Sequence, residues 1–216
     1  MKRTMTILAV TFASLLGLSC TAFRGYHLTL NGFASPDIPL RVSPDNTFAL
    51  VTNPDAENEM FEKEVIRKTG LAMEQAGVKV LPREEADYLI MVTYGLGGER
   101  PVDSWDIDPV FDIMIFPDPR IFFRGFTFSP VRRGAYLHWM EVNVIESEPF
   151  DRDGTRSIVW LAQIACLSPS NDLRETVDAM LVGAMEIFGT DTGRAESEVI
   201  EPWDARLDIF RQPDNP

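Results

Sequence analysis

The chain of 216 residues has only two cysteines and two histidines. Two cysteines cannot build a disulfide-dense scaffold or a four-cysteine zinc site, and two histidines leave little for a histidine-rich metal centre. Basic residues are also scarce: 20 Lys plus Arg stand against 33 Asp plus Glu, for a formal charge of −13 and an isoelectric point near 4.6. That sign is wrong for neutralising phosphates, so no nucleic acid is expected as a partner. No Gly-x-Ser-x-Gly elbow occurs. Gly95-Leu96-Gly97-Gly98 follows a strand signal but lacks the full dinucleotide-loop spacing and a following helix, and reads as a turn. What is present is ordinary for a globular chain, with 45% hydrophobic and 25% charged residues. The length fits one domain with appendages and a real core.

Lys2 and Arg3 precede a charge-free run over residues 5–18, shorter than the roughly 20 residues that span a bilayer. This is the charged end and apolar stretch of a signal peptide. The run closes on Leu16-Gly17-Leu18-Ser19-Cys20, which resembles the lipobox of bacterial lipoproteins, where the cysteine receives a diacylglycerol and becomes the mature N-terminus. Lipidation is therefore expected at Cys20, and plain secretory cleavage after Ala22 is the other reading. A lipidated Cys20 cannot pair with Cys166; a Cys20–Cys166 bridge in an oxidising periplasm is the alternative use of the two thiols. Removing residues 1–19 takes away Lys2 and Arg3 and no acid, which moves the charge from −13 to −15. Attachment to a membrane then has to come from acyl chains. Thr21, and not Asp, follows the cysteine, so the resemblance implies the outer membrane and a periplasm-facing domain.

Residues 20–45, with Pro36, Pro39 and Pro44, read as a lipid-anchored tether with at most a short edge strand around His27-Leu28-Thr29-Leu30. The domain is expected over 46–189. Residues 47–52 form a strand signal, and Asn53-Pro54-Asp55 reads as the cap of a helix reaching Ala76 with Phe61, Val65 and Ala72 inward. Short and long strands are expected at 78–81 and 86–96. Residues 135–147 and 157–166 read as a hairpin through a polar turn at 150–154. Met140, Val142 and Val144 face the core, and Glu141 and Asn143 lie on a wetter side. Leu173, Val177, Met180, Leu181, Ala184 and Phe188 form a helical stripe ending at Gly189. Residues 190–216 read as an acidic tail whose Trp203, Leu207, Ile209 and Phe210 could dock. The expected fold is α+β, a mainly antiparallel sheet of four to five strands with two amphipathic helices packed on one face.

Several of these segments carry a resemblance. Asn46-Thr47-Phe48-Ala49, Glu85-Ala86-Asp87-Tyr88-Leu89-Ile90, Ile158-Val159-Trp160 and the helix with Ala179-Met180-Leu181 together resemble a family of small bacterial envelope lipoproteins. That family is built on a domain of unknown function, number four-one-three-six in its series. The resemblance covers residues 46–189. It implies a lipid-anchored periplasmic protein and assigns no activity or site residue.

For chemistry the candidates are few. His138 shares the parity of Met140 and Val142 and reads as a hydrogen-bonded residue on the core face. Cys166 sits among apolar residues, which leaves a thiol inert. Glu84-Glu85, Asp106-Asp108 and Asp151-Asp153 are carboxylate pairs that read as solvated turns. If one of them works as acid and base, the protein is a periplasmic hydrolase, the alternative to a non-catalytic reading. No catalytic residue, metal ligand or cofactor is expected. Residues 97–134 are different, since they hold many aromatics among prolines and arginines. They read either as a satellite core over the sheet or as a docking surface, with Phe122, Phe123, Phe126 and Arg124 as anchors for an envelope protein or hydrophobic ligand.

Overall fold

The computed structural model describes residues 25–37, 45–54, 56–100, 110–111, 126–127, 135–153 and 157–211. Its centre is a seven-stranded sheet built from β1 (Tyr26–Ala34), β2 (Thr47–Val51), β3 (Lys79–Val80), β4 (Tyr88–Arg100), β7 (Ala135–Glu146), β8 (Ile158–Ser168) and β9 (Glu196–Ile200), in the order β3-β2-β4-β7-β8-β1-β9. A separate two-stranded ladder joins β5 (Val110–Phe111) to β6 (Phe126–Thr127). β2 runs parallel to both β3 and β4, and the four pairings from β4 across to β9 are antiparallel. The α+β class and the mainly antiparallel sheet hold. The strand number does not, because β1 and β9 add to the side where a tether and a tail were expected.

β1 is no edge strand: it pairs with β8 through Leu28↔Cys166 to Ala34↔Trp160 and with β9 through Tyr26↔Ile200 to Leu30↔Glu196. The sheet therefore includes residues ahead of 46, in Tyr26–Ala34. At the other end Leu207 and Phe210 join the core, as the short helix α4 (Asp208–Arg211) packs against the helix over Glu59–Gln75. Arg206 fixes this segment by binding Asp204, Glu198 and Glu186.

Two helices cover one face. α1 (Glu59–Gln75) buries Val65, Ala72 and Met73, and α3 (Val177–Glu186) buries Val177, Met180, Leu181 and Ala184, the stripe that its periodicity predicts. α1 starts later than Asn53: Asn58 is its cap, its side-chain oxygen accepting from the backbone of Met60 and Phe61. Asn53 instead opens a turn closed by the Ala56 N–H. α3 lies so close to β1 that a Cβ on Gly183 would meet the methyls of Leu28 and Leu30 at 2.8 Å. Lys68 on α1, buried along its stem, ties the helices together by reaching Asp178 on α3 at 2.7 Å and Glu64 at 3.0 Å. The polar turn expected at 150–154 is part of a short helix, α2 (Ser147–Asp153). Among the described residues, no helix is long and apolar enough to cross a membrane.

Candidate functional site

The two faces of the sheet differ in chemistry. On the helix-covered face the cross-strand rows are mainly apolar, as in Val92–Val142–Ala162–Gly32, with His138 as a buried polar member. On the opposite face the register aligns Thr93, Glu141, Gln163 and Asn31 into one polar row across four strands. Met91, Asn143 and Leu161 flank it on one side, Trp139 and Ala165 on the other. Glu141 is not on a wet surface, as its alternation suggested. It is 6% exposed, as is Gln163, and Asn31 is 2% exposed.

Burial disfavours the charged carboxylate and pushes the Glu141 acid up to about 7, opposed by hydrogen bonds from Gln163 and Thr93. Gln163 Nε2 donates to Glu141 Oε1 at 3.1 Å. Asn31 Oδ1 accepts from the Thr192 hydroxyl at 3.1 Å. Beside the row, the Trp139 indole lies flat over Gly95, where a Cβ would come within 2.5 Å of the ring. Gly95 and Gly97 are therefore strand residues under the side chains of β7, and the turn expected at 95–98 is the continuation of β4. Over residues 89–97 of β4, 137–145 of β7 and 161–167 of β8, Glu141 is the one ionisable side chain on this face among the described residues. It can hold or release a proton near neutrality, but no second carboxyl stands beside it there to complete an acid and base pair.

Other ionisable groups are bound into the scaffold. Glu62, buried on α1, accepts from the Asn53 N–H at 2.7 Å and from the Tyr94 hydroxyl at 2.9 Å, and burial together with that bond raises the Tyr94 phenol. His138 is fully buried on the core face, as its parity predicts. Its Nε2 lies 2.8 Å from the Ser170 carbonyl, which can only accept, so Nε2 carries the hydrogen. Burial lowers the imidazole's proton affinity, leaving Nδ1 free to accept from the Thr176 hydroxyl at 2.6 Å. Cys166 is a free, buried thiol pushed up to about 12 by desolvation. Among the described residues, no three His, Cys, Asp or Glu side chains group in a way that could hold a metal ion.

The segments behind the family resemblance form clasps. Thr47 donates its hydroxyl to Asp87 Oδ2 at 2.7 Å, its N–H reaches the same oxygen at 3.0 Å, and the Asp87 N–H returns to the Thr47 hydroxyl at 3.0 Å. This reciprocal set fixes where the parallel strands β2 and β4 start. Trp160 donates its indole N–H to the Thr190 carbonyl at 2.9 Å and packs edge-on against Phe188 at 5.0 Å between ring centres.

Of the residues singled out for lipidation and docking, Cys20, Phe122, Phe123 and Arg124 lie outside the described residues, as does the pair Asp106-Asp108. Phe126 is in β6, paired with Phe111 of β5. The segment leaves the sheet at Arg100 and returns at Ala135, which are register partners, so both of its ends lie at one end of the sheet. Glu84 and Glu85 are exposed in a short 3₁₀ turn. The polar row was missed, although Gln163 interrupting an otherwise apolar strand and Glu141 opposite it in the hairpin were both in view.

This arrangement, helices on one face of a mixed sheet and a buried polar row on the other, defines an α+β domain without a metal-binding cluster among the described residues. No family model and no curated protein matches the sequence. Three solved structures are among those that show a distant likeness to the chain. A PDZ domain protein from Parabacteroides distasonis is 14% identical, with a TM-score of 0.48 over 85% of this chain and 41% of that one. A PelC dodecamer from Paraburkholderia phytofirmans is 10% identical, with a TM-score of 0.41 over 76% of this chain and 98% of that one. A DUF4136 family protein from Bacteroides thetaiotaomicron is 11% identical, with a TM-score of 0.39 over 79% of this chain and 100% of that one.

Proposed function

We propose that the protein is a non-catalytic bacterial envelope lipoprotein, anchored through Cys20 in the outer membrane and facing the periplasm, where it binds an envelope protein or a hydrophobic ligand. The observation that carries this reading is Cys166, a free thiol 1% exposed in the core. The chain has no other cysteine besides Cys20. With Cys166 unbridged, Cys20 is left available for thioether formation. The binding surface is assigned to Phe122, Phe123, Phe126 and Arg124, since aromatic and arginine side chains are the usual anchors of interfaces.

Metabolic labelling with a fatty-acid analogue tests the anchor. Label on the wild type and none on Cys20→Ser is expected; equal labelling, or a mature chain starting at Phe23, overturns it. For the surface, a variant with alanine at residues 122, 123 and 126 should keep its unfolding midpoint and lose crosslinked envelope partners. If it unfolds instead, those rings belong to the protein's own core.

A further inference from the structure

The exposed apolar side chains are not scattered over the domain. Among the described residues the large exposed hydrophobics are Met60, Leu96, Ile158, Val199 and Trp203, and all but Ile158 lie at one end of the sheet. The register shows why. Leu96 is near the last paired residues of β4, opposite His138, close to where β7 begins. Val199 and Ile200 end β9 opposite His27 and Tyr26, which begin β1. Met60 precedes Phe61, whose ring packs edge-on against Tyr94 at 5.0 Å, two residues before Leu96. Trp203 sits in the turn that follows β9, closed by the Asp204 N–H on the Glu201 carbonyl at 2.9 Å, and is 63% exposed. Arg211 braces that turn by donating to the Pro202 carbonyl.

Gly25, the first described residue, belongs to the same end: a Cβ there would meet Val199 Cγ1 at 2.7 Å. Five chain steps separate Gly25 from Cys20, at most about 18 Å when fully extended. Whatever holds Cys20 therefore lies within about 18 Å of Gly25, which packs against Val199 at this end of the sheet.

We propose that this end of the sheet rests on the surface of a zwitterionic bilayer, with the Trp203 indole in the lipid interface. The inference rests on the anchor at Cys20 proposed above and adds which way the domain faces. Tryptophan has an apolar body and an N–H donor, and favours the headgroup level of membranes for that reason. The lipid class follows from charge. Glu198, Glu201, Asp204 and Asp208 lie in or beside the turn, and Arg206 and Arg211 are already engaged by Asp204, Glu198, Glu186 and Asp208. An acidic rim is repelled by anionic headgroups and not by zwitterionic ones.

The test couples the chain from Cys20 onward, through that thiol, to a maleimide-headgroup lipid in phosphatidylcholine vesicles. Cys166 is buried and leaves Cys20 as the reactive site in the folded protein. Because the link is made chemically, the result does not depend on whether cells acylate Cys20, which the labelling experiment decides separately. The emission of Trp203 is read as the difference between wild type and Trp203→Phe, with circular dichroism confirming that the variant is folded. Vesicles with brominated acyl chains should abolish that difference emission. Persistence of the full Trp203 emission overturns the proposal. So does a Cys20→Ser protein that sediments as a dimer in the absence of lipid and becomes monomeric as Trp203→Glu, since a second copy would then cover this end.

Discussion

Glu141→Gln should remove a pH dependence of stability that the wild type carries. The buried acid is raised from its ordinary 4.5 to about 7, and at roughly 1.4 kcal/mol per pH unit this corresponds to about 3 kcal/mol. The sign follows from proton counts. Between pH 4.5 and 7 the unfolded chain has lost this proton and the folded chain keeps it, so stability falls as pH rises. Below 4.5 both states are protonated and there is no penalty; above 7 both are charged and the penalty is complete. Glutamine keeps the shape and an oxygen that accepts from Gln163 Nε2, but it cannot ionise. Urea unfolding of both proteins from pH 4.5 to 8.5, at constant slope, isolates the effect as a difference. Surface carboxylates such as Asp172 and Asp204, held low by Arg174 and Arg206, act at lower pH and cancel in that difference. The variant should gain about 3 kcal/mol on the wild type between the two ends of the range. Parallel profiles would show that Glu141 does not retain its proton in the fold, and that the far face of the sheet is open to water.

Leu181→Ala, in the middle of the α3 stripe and fully buried, should cost about 2 to 5 kcal/mol in urea unfolding, whereas the exposed Arg174→Ala should leave the unfolding midpoint almost unchanged. Thr47→Val removes the hydroxyl that binds Asp87 and leaves that carboxylate short of a donor, a loss of about 1 to 3 kcal/mol in the same assay. Gly95→Ala forces the Trp139 indole off the strand; a destabilisation of about 1 to 3 kcal/mol with a shifted near-ultraviolet tryptophan signal is expected.

Local pattern made the centre of this fold legible and left its margins dark. The hairpin of β7 and β8 and the stripe of α3 follow from alternation and helical spacing, because each buries a face against a partner close in sequence. β1 and β9 do not. β1 carries Asn31 and Gly32 at its centre, and β9 is mostly Glu and Ser, so neither has a run that signals burial. Their position comes from each other and from β8, a pairing that no local window contains. The same limit applies to the polar row. Alternation places Glu141 and Gln163 opposite the core, but it cannot say whether that side is wet, and their burial decides the chemistry. His138 and Cys166 were readable because their own strand neighbours are the groups that exclude water from them.

The place of β1 has a consequence for how the chain is made. The first strand is stitched between β8 and β9, and the Thr192 hydroxyl closes on the Gly32 backbone from 160 residues further along. While the ribosome is still building the middle of the protein, Tyr26–Ala34 has no mate. The sheet cannot be completed until Glu196–Ile200 exists, and folding of such long-range order is slow. Under the envelope location proposed above, a chain that stays open for that long is one that can be threaded across a membrane before it sets.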